Sequence, residues 1–221
     1  MGLRIFLAGD STVAYNDIRS YPQTGWGQVL HLYLPKDVDI FNYAQNGRSS
    51  KSFIEEGLLN KIDNCIGQRD LLLIQFGHND QKEDEKRHTD PYSTYQDYLR
   101  QYIEVARKHH AIPILITSLS RRHFDEKGKI KEDVHGQYPE AMKALAEELQ
   151  VAIIDLFNES KVLLETLGDE GSKALFMHLP PDIYETYPEG KKDDTHMVYE
   201  GAVKMAGIVY RELEKIISNL Y

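Results

Sequence analysis

Five short apolar runs recur along the chain, at 3–7, 38–43, 71–76, 112–117 and 151–156, each giving way to polar or charged residues. Runs of that length, dense in Leu, Ile, Val and Phe, suit strands buried on both faces of a sheet. The intervening segments carry helical spacing. Trp26, Val29, Leu30, Tyr33 and Leu34 fall on one face and are closed by Pro35; a second helix enters near Ser52; Leu58, Leu59, Ile62 and Ile66 mark a third. Pro91 and Ser93 open a long helix through Ala106, and further helices are predicted over 138–149, 161–167 and 198–220. Strands alternating with helices require crossovers, so the expected architecture is α/β: a flavodoxin-like three-layer α/β/α fold with a five-stranded parallel sheet in the order 2-1-3-4-5. No internal repeat or low-complexity tract interrupts the pattern, and the reading is of one domain over 1–221.

The charge balance narrows the partners. With 26 Lys and Arg against 35 Asp and Glu the formal net charge is −9, which argues against a nucleic-acid surface or an anionic-membrane surface. No apolar run approaches membrane-spanning length. The single cysteine, Cys65, excludes an intramolecular disulfide framework. Only the short run 5–9 precedes Asp10, too little for the apolar core of a secretory leader, so a cytoplasmic location is expected. No His-Glu-x-x-His, paired-cysteine or glycine-rich phosphate motif is present, and neither a metal nor another cofactor is expected.

In the predicted strand order the loops after the first three strands meet at one edge of the sheet, where ligands of open α/β folds bind. Those loops hold Ser11, Gly47 and Asn79. A serine hydroxyl is a weak nucleophile near neutral pH and needs a base, itself oriented by a third group. Asp193 and His196, three apart at the entry to the last helix, supply an orienting carboxylate and a base, with Asp194 as the rival orienter. Developing charge on a tetrahedral oxyanion calls for prearranged donors, and the backbone N–H of Ser11, the backbone N–H of Gly47 and the side-chain amide of Asn79 qualify. Each residue has a plainer use as well: Ser11 as a helix cap at the start of a helix, Gly47 for a positive φ, Asn79 in an Asx turn, and Asp193-x-x-His196 as a cap.

Taken in order, Gly9-Asp10-Ser11, Gly47, Gly77-His78-Asn79-Asp80 and Asp193-x-x-His196 make the chain resemble the SGNH (GDSL-type) hydrolases over nearly its whole length. The resemblance implies a catalytic Ser11, Asp193 and His196 and an oxyanion hole of Ser11, Gly47 and Asn79. Gly-x-Ser-x-Gly is missing around Ser11, which disfavours the other α/β-hydrolase fold. Ala8 to Val13, Gly25-Trp26-Gly27, Asn42-Tyr43-Ala44 and Gly47-Arg48-Ser49-Ser50 are similar to the rhamnogalacturonan acetylesterases. That likeness implies removal of acetyl groups from an acetylated pectic oligosaccharide. A uronic-acid substrate would draw cations to the cleft: Arg48, beside Gly47, is the first candidate, Arg121, Arg122 and Lys191 lie on loops that could reach, and His78 joins the substrate-binding set as a buried hydrogen-bond partner; the plainer use of these cations, Lys191 above all, is as solvated loop charges. Two other functions stay open: a lysophospholipase or thioesterase of the same superfamily, and a non-catalytic flavodoxin-like binding module.

Overall fold

The apolar runs pack as strands because every residue of their centres can be buried at once. In the computed structural model, which describes residues 2–218, β1 (Arg4–Gly9), β2 (Asp39–Asn42), β3 (Leu71–Gln75), β4 (Ile112–Ile116) and β5 (Ala152–Ile154) form one parallel sheet in the order β2-β1-β3-β4-β5. The central β3 is buried at all five positions, whereas the edge strand β2 alternates exposed and half-buried residues. Successive side chains of a strand point to opposite faces. Ile5, Leu7, Leu71, Leu73, Ile114 and Ile116 accordingly share one cluster, and Phe6, Ala8, Leu72, Ile74 and Leu115 the other.

Helices cover both faces. The first cluster is closed by α1 (Trp26–Val29) and later by the carboxyl-terminal helices, through Leu164, Ala202, Met205, Ala206, Val209 and Leu213. The second is closed by α2 (Ser50–Glu55), α3 (Leu58–Asp63), α4 (Gln96–Lys108) and α5 (Tyr138–Leu149), which contribute Phe53, Leu59, Ile62, Leu99, Tyr102, Ile103, Met142 and Leu145. The remaining helices are α6 (Leu156–Ser172) and α7 (Tyr199–Ser218). No helix among the described residues is long and apolar enough to cross a membrane.

The predicted sheet order and the helix at 138–149 match the structure, and several helix bounds differ for local reasons. The helix predicted over 161–167 begins at Leu156, because Asp155 leaves the strand and caps α6 by accepting from the Asn158 N–H at 3.1 Å. It continues past Leu167 through a break at Gly168, where φ is +71°. The segment predicted as one helix over 26–34 is α1 followed by a 3-10 turn at Leu30–Leu32; Pro35 restricts Leu34 and leaves no room for another helical turn. The final helix was expected over 198–220, of which 219 and 220 lie outside the described residues.

One polar chain runs through the centre of this apolar structure. Gln75, the last residue of β3, accepts from Trp26 Nε1 at 2.8 Å and donates through Nε2 to Thr12 Oγ1 at 2.6 Å, all three residues being buried. The central strand is thereby tied both to α1 and to the turn after β1. A Gln75→Leu substitution leaves the indole N–H without a partner. It should cost about 1–3 kcal/mol of stability, the usual penalty for an orphaned buried donor. Urea unfolding reads this directly, and an unchanged midpoint would show that the bridge contributes nothing.

Candidate active site

The chain leaves β1 and turns at once. Val13 and Ala14 donate backbone N–H groups to the Asp10 carbonyl at 3.1 and 3.0 Å, and the Asp10 carboxylate accepts from the Thr12 N–H at 2.9 Å and the Thr12 hydroxyl at 2.8 Å. Ser11 stands at the crest of this tight turn, not at the start of a helix as its sequence neighbours suggest; a 3-10 turn follows only at Ile18–Ser20 and the first α-helix only at Trp26. Its own N–H finds no acceptor among the described residues. Burial would push the Asp10 carboxyl up, but the His78 ring 3.3 Å away and the two Thr12 donors together hold it below its ordinary value.

Ser11 Oγ lies 2.9 Å from His196 Nε2. The other ring nitrogen, Nδ1, donates to Asp193 Oδ2 at 2.8 Å, while Asp193 Oδ1 accepts the backbone N–H groups of Thr195 and His196, each at 2.9 Å. An ionised carboxylate can only accept, so the hydrogen resides on Nδ1 and leaves Nε2 free to take the Ser11 proton. Burial alone would raise the Asp193 carboxyl. The hydrogen bond and charge of His196, with the two backbone donors, outweigh burial and hold it far below the usual carboxylate range. Asp194, the rival orienter, faces away and accepts from Arg122 Nε at 2.8 Å while lying 2.7 Å from His178 Nε2.

Gly47 and Asn79 come from the neighbouring loops. Gly47 has φ of +81° and an N–H without an acceptor among the described residues, so its backbone donor is available to a ligand. The Asn79 amide donates to the Arg48 carbonyl at 3.0 Å, placing it one residue from Gly47, and its oxygen accepts from Arg87 Nη1 at 3.4 Å. These two bonds orient the amide and leave its second N–H unassigned. Two loops are locked together beneath the site by Asp80, whose buried carboxyl accepts from the Ser50 N–H at 3.1 Å and from the Ser50 and Thr89 hydroxyls. Burial pushes that carboxyl up to about 7 against the pull of those donors. Asp80 and Ser50 stand in the motifs the sequence shows, but their contact escapes notice there because it joins positions 30 apart; the Ser49/Ser52 capping box that fixes the start of α2 is a local signal nearby.

The basic candidates separate by their partners. Arg48, expected at the substrate, turns its guanidinium to Glu56 at 2.6 Å and to the Asn46 carbonyl at 2.8 Å. Arg122, also expected there, is 6 % exposed and ties Asp194 to Asp169. Lys191 pairs with Asp193 at 3.1 Å and rests over the Tyr187 ring. His78 is 3 % exposed, behind Asn79 rather than at the surface of the cleft; burial lowers its pKa, and its ring meets that of His135 edge to face at 4.6 Å. Arg121 is half-buried and donates to the His78 carbonyl at 3.2 Å.

A hydroxyl, an imidazole and a carboxylate in hydrogen-bonded series, beside two unclaimed backbone N–H groups, can carry out acyl transfer through a tetrahedral intermediate. Comparison with known proteins agrees with that chemistry. Residues 5–209 match the GDSL-like lipase/acylhydrolase family. The chain is 46% identical over 214 residues, 97% of its length and 90% of the relative's, to rhamnogalacturonan acetylesterase RhgT of Bacillus subtilis (strain 168). It is 41% identical over 218 residues, 98% of its length and 94% of the relative's, to probable rhamnogalacturonan acetylesterase YesY of the same organism. Among solved structures, B. subtilis YxiM superposes with a TM-score of 0.83 at 27% identity, covering 97% of this chain and 57% of that one. The acetylxylan esterase Axe2 from Geobacillus stearothermophilus, at a TM-score of 0.65 and 20% identity over 96% of this chain and 94% of that one, shares the fold.

The depressed Asp193 carboxyl has a consequence for stability. A group whose folded pKa lies below its unfolded value stabilises the fold above the unfolded pKa, and that contribution drains away as pH falls below it. Asp193→Asn should therefore destabilise by about 1.5–3 kcal/mol near pH 7, as expected for losing a hydrogen bond to a charged group. The gap between variant and parent melting temperatures should narrow as the pH falls below the ordinary carboxylate value of 3.8. A gap that stays constant with pH would contradict the assignment of Asp193 as the strongly ionised partner.

Proposed function

The chain belongs to the GDSL-like lipase/acylhydrolase family, and we propose that within it the protein is a serine esterase that removes O-acetyl groups from a pectic carbohydrate of the rhamnogalacturonan type. The observation that carries the chemistry is the continuous series Ser11 Oγ, His196 and Asp193, with contacts of 2.9 and 2.8 Å. The substrate class rests on the 46% and 41% identical relatives named rhamnogalacturonan acetylesterase.

In this reading Ser11 Oγ attacks the acetyl carbonyl carbon while His196 Nε2 takes the hydroxyl proton. The carbonyl oxygen becomes an oxyanion facing the N–H groups of Ser11 and Gly47 and the free amide hydrogen of Asn79. Asp193 keeps the ring oriented and stabilises the imidazolium, without itself taking the proton. Collapse breaks the bond to the sugar oxygen, which leaves with the proton from His196, and acetyl-Ser11 remains. A water molecule then gives its proton to His196 and its oxygen to the acetyl carbon; a second collapse returns the proton to Ser11 and releases acetate. An acetyl group is small, so discrimination among substrates falls to the sugar side of the ester.

Ser11→Ala should lower kcat for acetate release from acetylated rhamnogalacturonan oligosaccharides by at least about 1,000-fold, as loss of the nucleophile does in other triads. The parent enzyme should favour those oligosaccharides over acetylated xylo-oligosaccharides in kcat/KM. Undiminished turnover by the variant would refute Ser11 as nucleophile, and a preference for xylan fragments or for long acyl chains would refute the pectic assignment.

A further inference from the structure

The arginines around the cleft fall into two groups. Arg48, Arg87 and Arg122 each have a carboxylate partner, Glu56 at 2.6 Å, Asp84 at 2.6 Å and Asp194 at 2.8 Å. Arg121 has none within 4.0 Å among the described residues, although it is more than half buried. Its contacts are with neutral groups only: Nη2 donates to the His78 carbonyl at 3.2 Å, and Nη1 and Nη2 lie 2.8 and 2.7 Å from the Gln81 amide position that must be its oxygen, since only that orientation turns an acceptor to the guanidinium. Its Nε is buried without any acceptor. Taking a guanidinium out of water without an anion is costly, and such groups are ordinarily paired.

The neighbouring acids cannot meet that need because they are engaged elsewhere. Asp10 is held by Thr12 and lies against His78, and Asp193 is held by His196, Thr195 and Lys191. The position of Arg121 is equally specific. It reaches the carbonyl of His78, next to Asn79, while the adjacent Arg122 N–H donates to the Asp194 carbonyl at 2.9 Å. Arg121 thus stands where the loop carrying Asn79 meets the loop carrying Asp193 and His196. The Gln81 oxygen, oriented towards both terminal nitrogens, sits where a carboxylate would bind the planar fork, and Gln81 is half-buried at the start of the exposed segment 82–86.

We infer that Arg121 is the specificity residue that binds the carboxylate of a uronic-acid ring at or beside the acetylated sugar, displacing the Gln81 amide. The inference rests on the pectic reading above and adds to it the group that recognises the acid. Bidentate pairing strengthens ground-state and transition-state binding alike, so it acts on kcat/KM for acidic substrates and not on acyl transfer itself.

The test compares acetate release from an acetylated galacturonate-containing oligosaccharide with release from the same oligosaccharide whose uronate carboxyl has been converted to the primary amide. The ratio of the two kcat/KM values cancels any general loss of activity. The parent should favour the acid, and Arg121→Gln should lower the ratio by about tenfold to a hundredfold, the range of a charge-assisted bidentate contact. Arg121→Lys, which keeps the charge and loses the fork, should retain part of the preference. Gln81→Glu leaves Arg121 in place and offers it an internal carboxylate, so it should also lower the ratio; this nearly isosteric loop variant decides the matter if Arg121→Gln fails to fold. A parent that favours the acid while Arg121→Gln and Gln81→Glu keep the parental ratio would overturn the inference and leave the pectic reading standing. A parent indifferent to the carboxyl would overturn it as well. A parent that releases acetate from neither oligosaccharide would instead overturn the pectic reading.

Discussion

The pairing of β1 with β3 sets everything above it. Their register runs from Ile5 opposite Leu71 to Gly9 opposite Gln75, so the two strands end level and the loops they release, one with Ser11 and one with Asn79, start side by side. Parallel strands end at the same edge by construction, and β2 brings Gly47 there on the other side of β1. Gln75 fastens the arrangement from below by bonding Thr12 in the first loop and Trp26 in the helix behind it. Close approach is enforced at Gly25, where a Cβ atom would fall 2.3 Å from the Ala14 carbonyl oxygen. The turn that presents Ser11 is therefore clamped between the sheet and α1.

Three aspartates near this edge show how environment divides one side-chain type among several tasks. Asp193, ringed by N–H donors, stays ionised and orients His196. Asp10 lies buried one residue before Ser11 and is held ionised by His78 and Thr12, shaping the turn. Asp80, as fully buried as Asp10, lies among Ser50, Thr89 and the buried rings of Tyr95 and Tyr138, and its carboxyl is pushed up to about 7. That carboxyl joins the two loops that carry Gly47 and Asn79, so the spacing of the proposed oxyanion donors depends on a residue that contacts neither the ester nor the base. Position and solvation, more than residue type, separate these roles.

Much of this was legible in the sequence because it follows from period and order. Buried strands reveal themselves as apolar runs, crossovers are right-handed, and the loops after successive strands are then forced to one edge. Ser11, Gly47 and Asn79 could be placed together on that basis, and Asp193 with His196 by their spacing of three. What could not be read depends on side chains choosing among distant partners. Nothing local in the sequence says that Arg122 reaches Asp194 across 72 positions, that Arg48 prefers Glu56 to the cleft, or that Asp80 bonds Ser50. The start of α6 was misplaced for a different reason: Leu156 continues an apolar run in sequence, yet Asp155 before it is a cap, and the cap determines where the helix begins.

The central claim is that Ser11 is a nucleophile activated by His196, and covalent trapping tests it most directly. Stoichiometric treatment with a serine-directed fluorophosphonate, followed by peptide mass spectrometry, should place a single phosphonyl adduct on Ser11 and abolish acetate release in proportion to labelling. His196→Ala should fold and label at least about 100-fold more slowly, the scale of general-base assistance. An adduct on another residue with Ser11 unmodified, or equal labelling rates for parent and His196→Ala, would contradict the account.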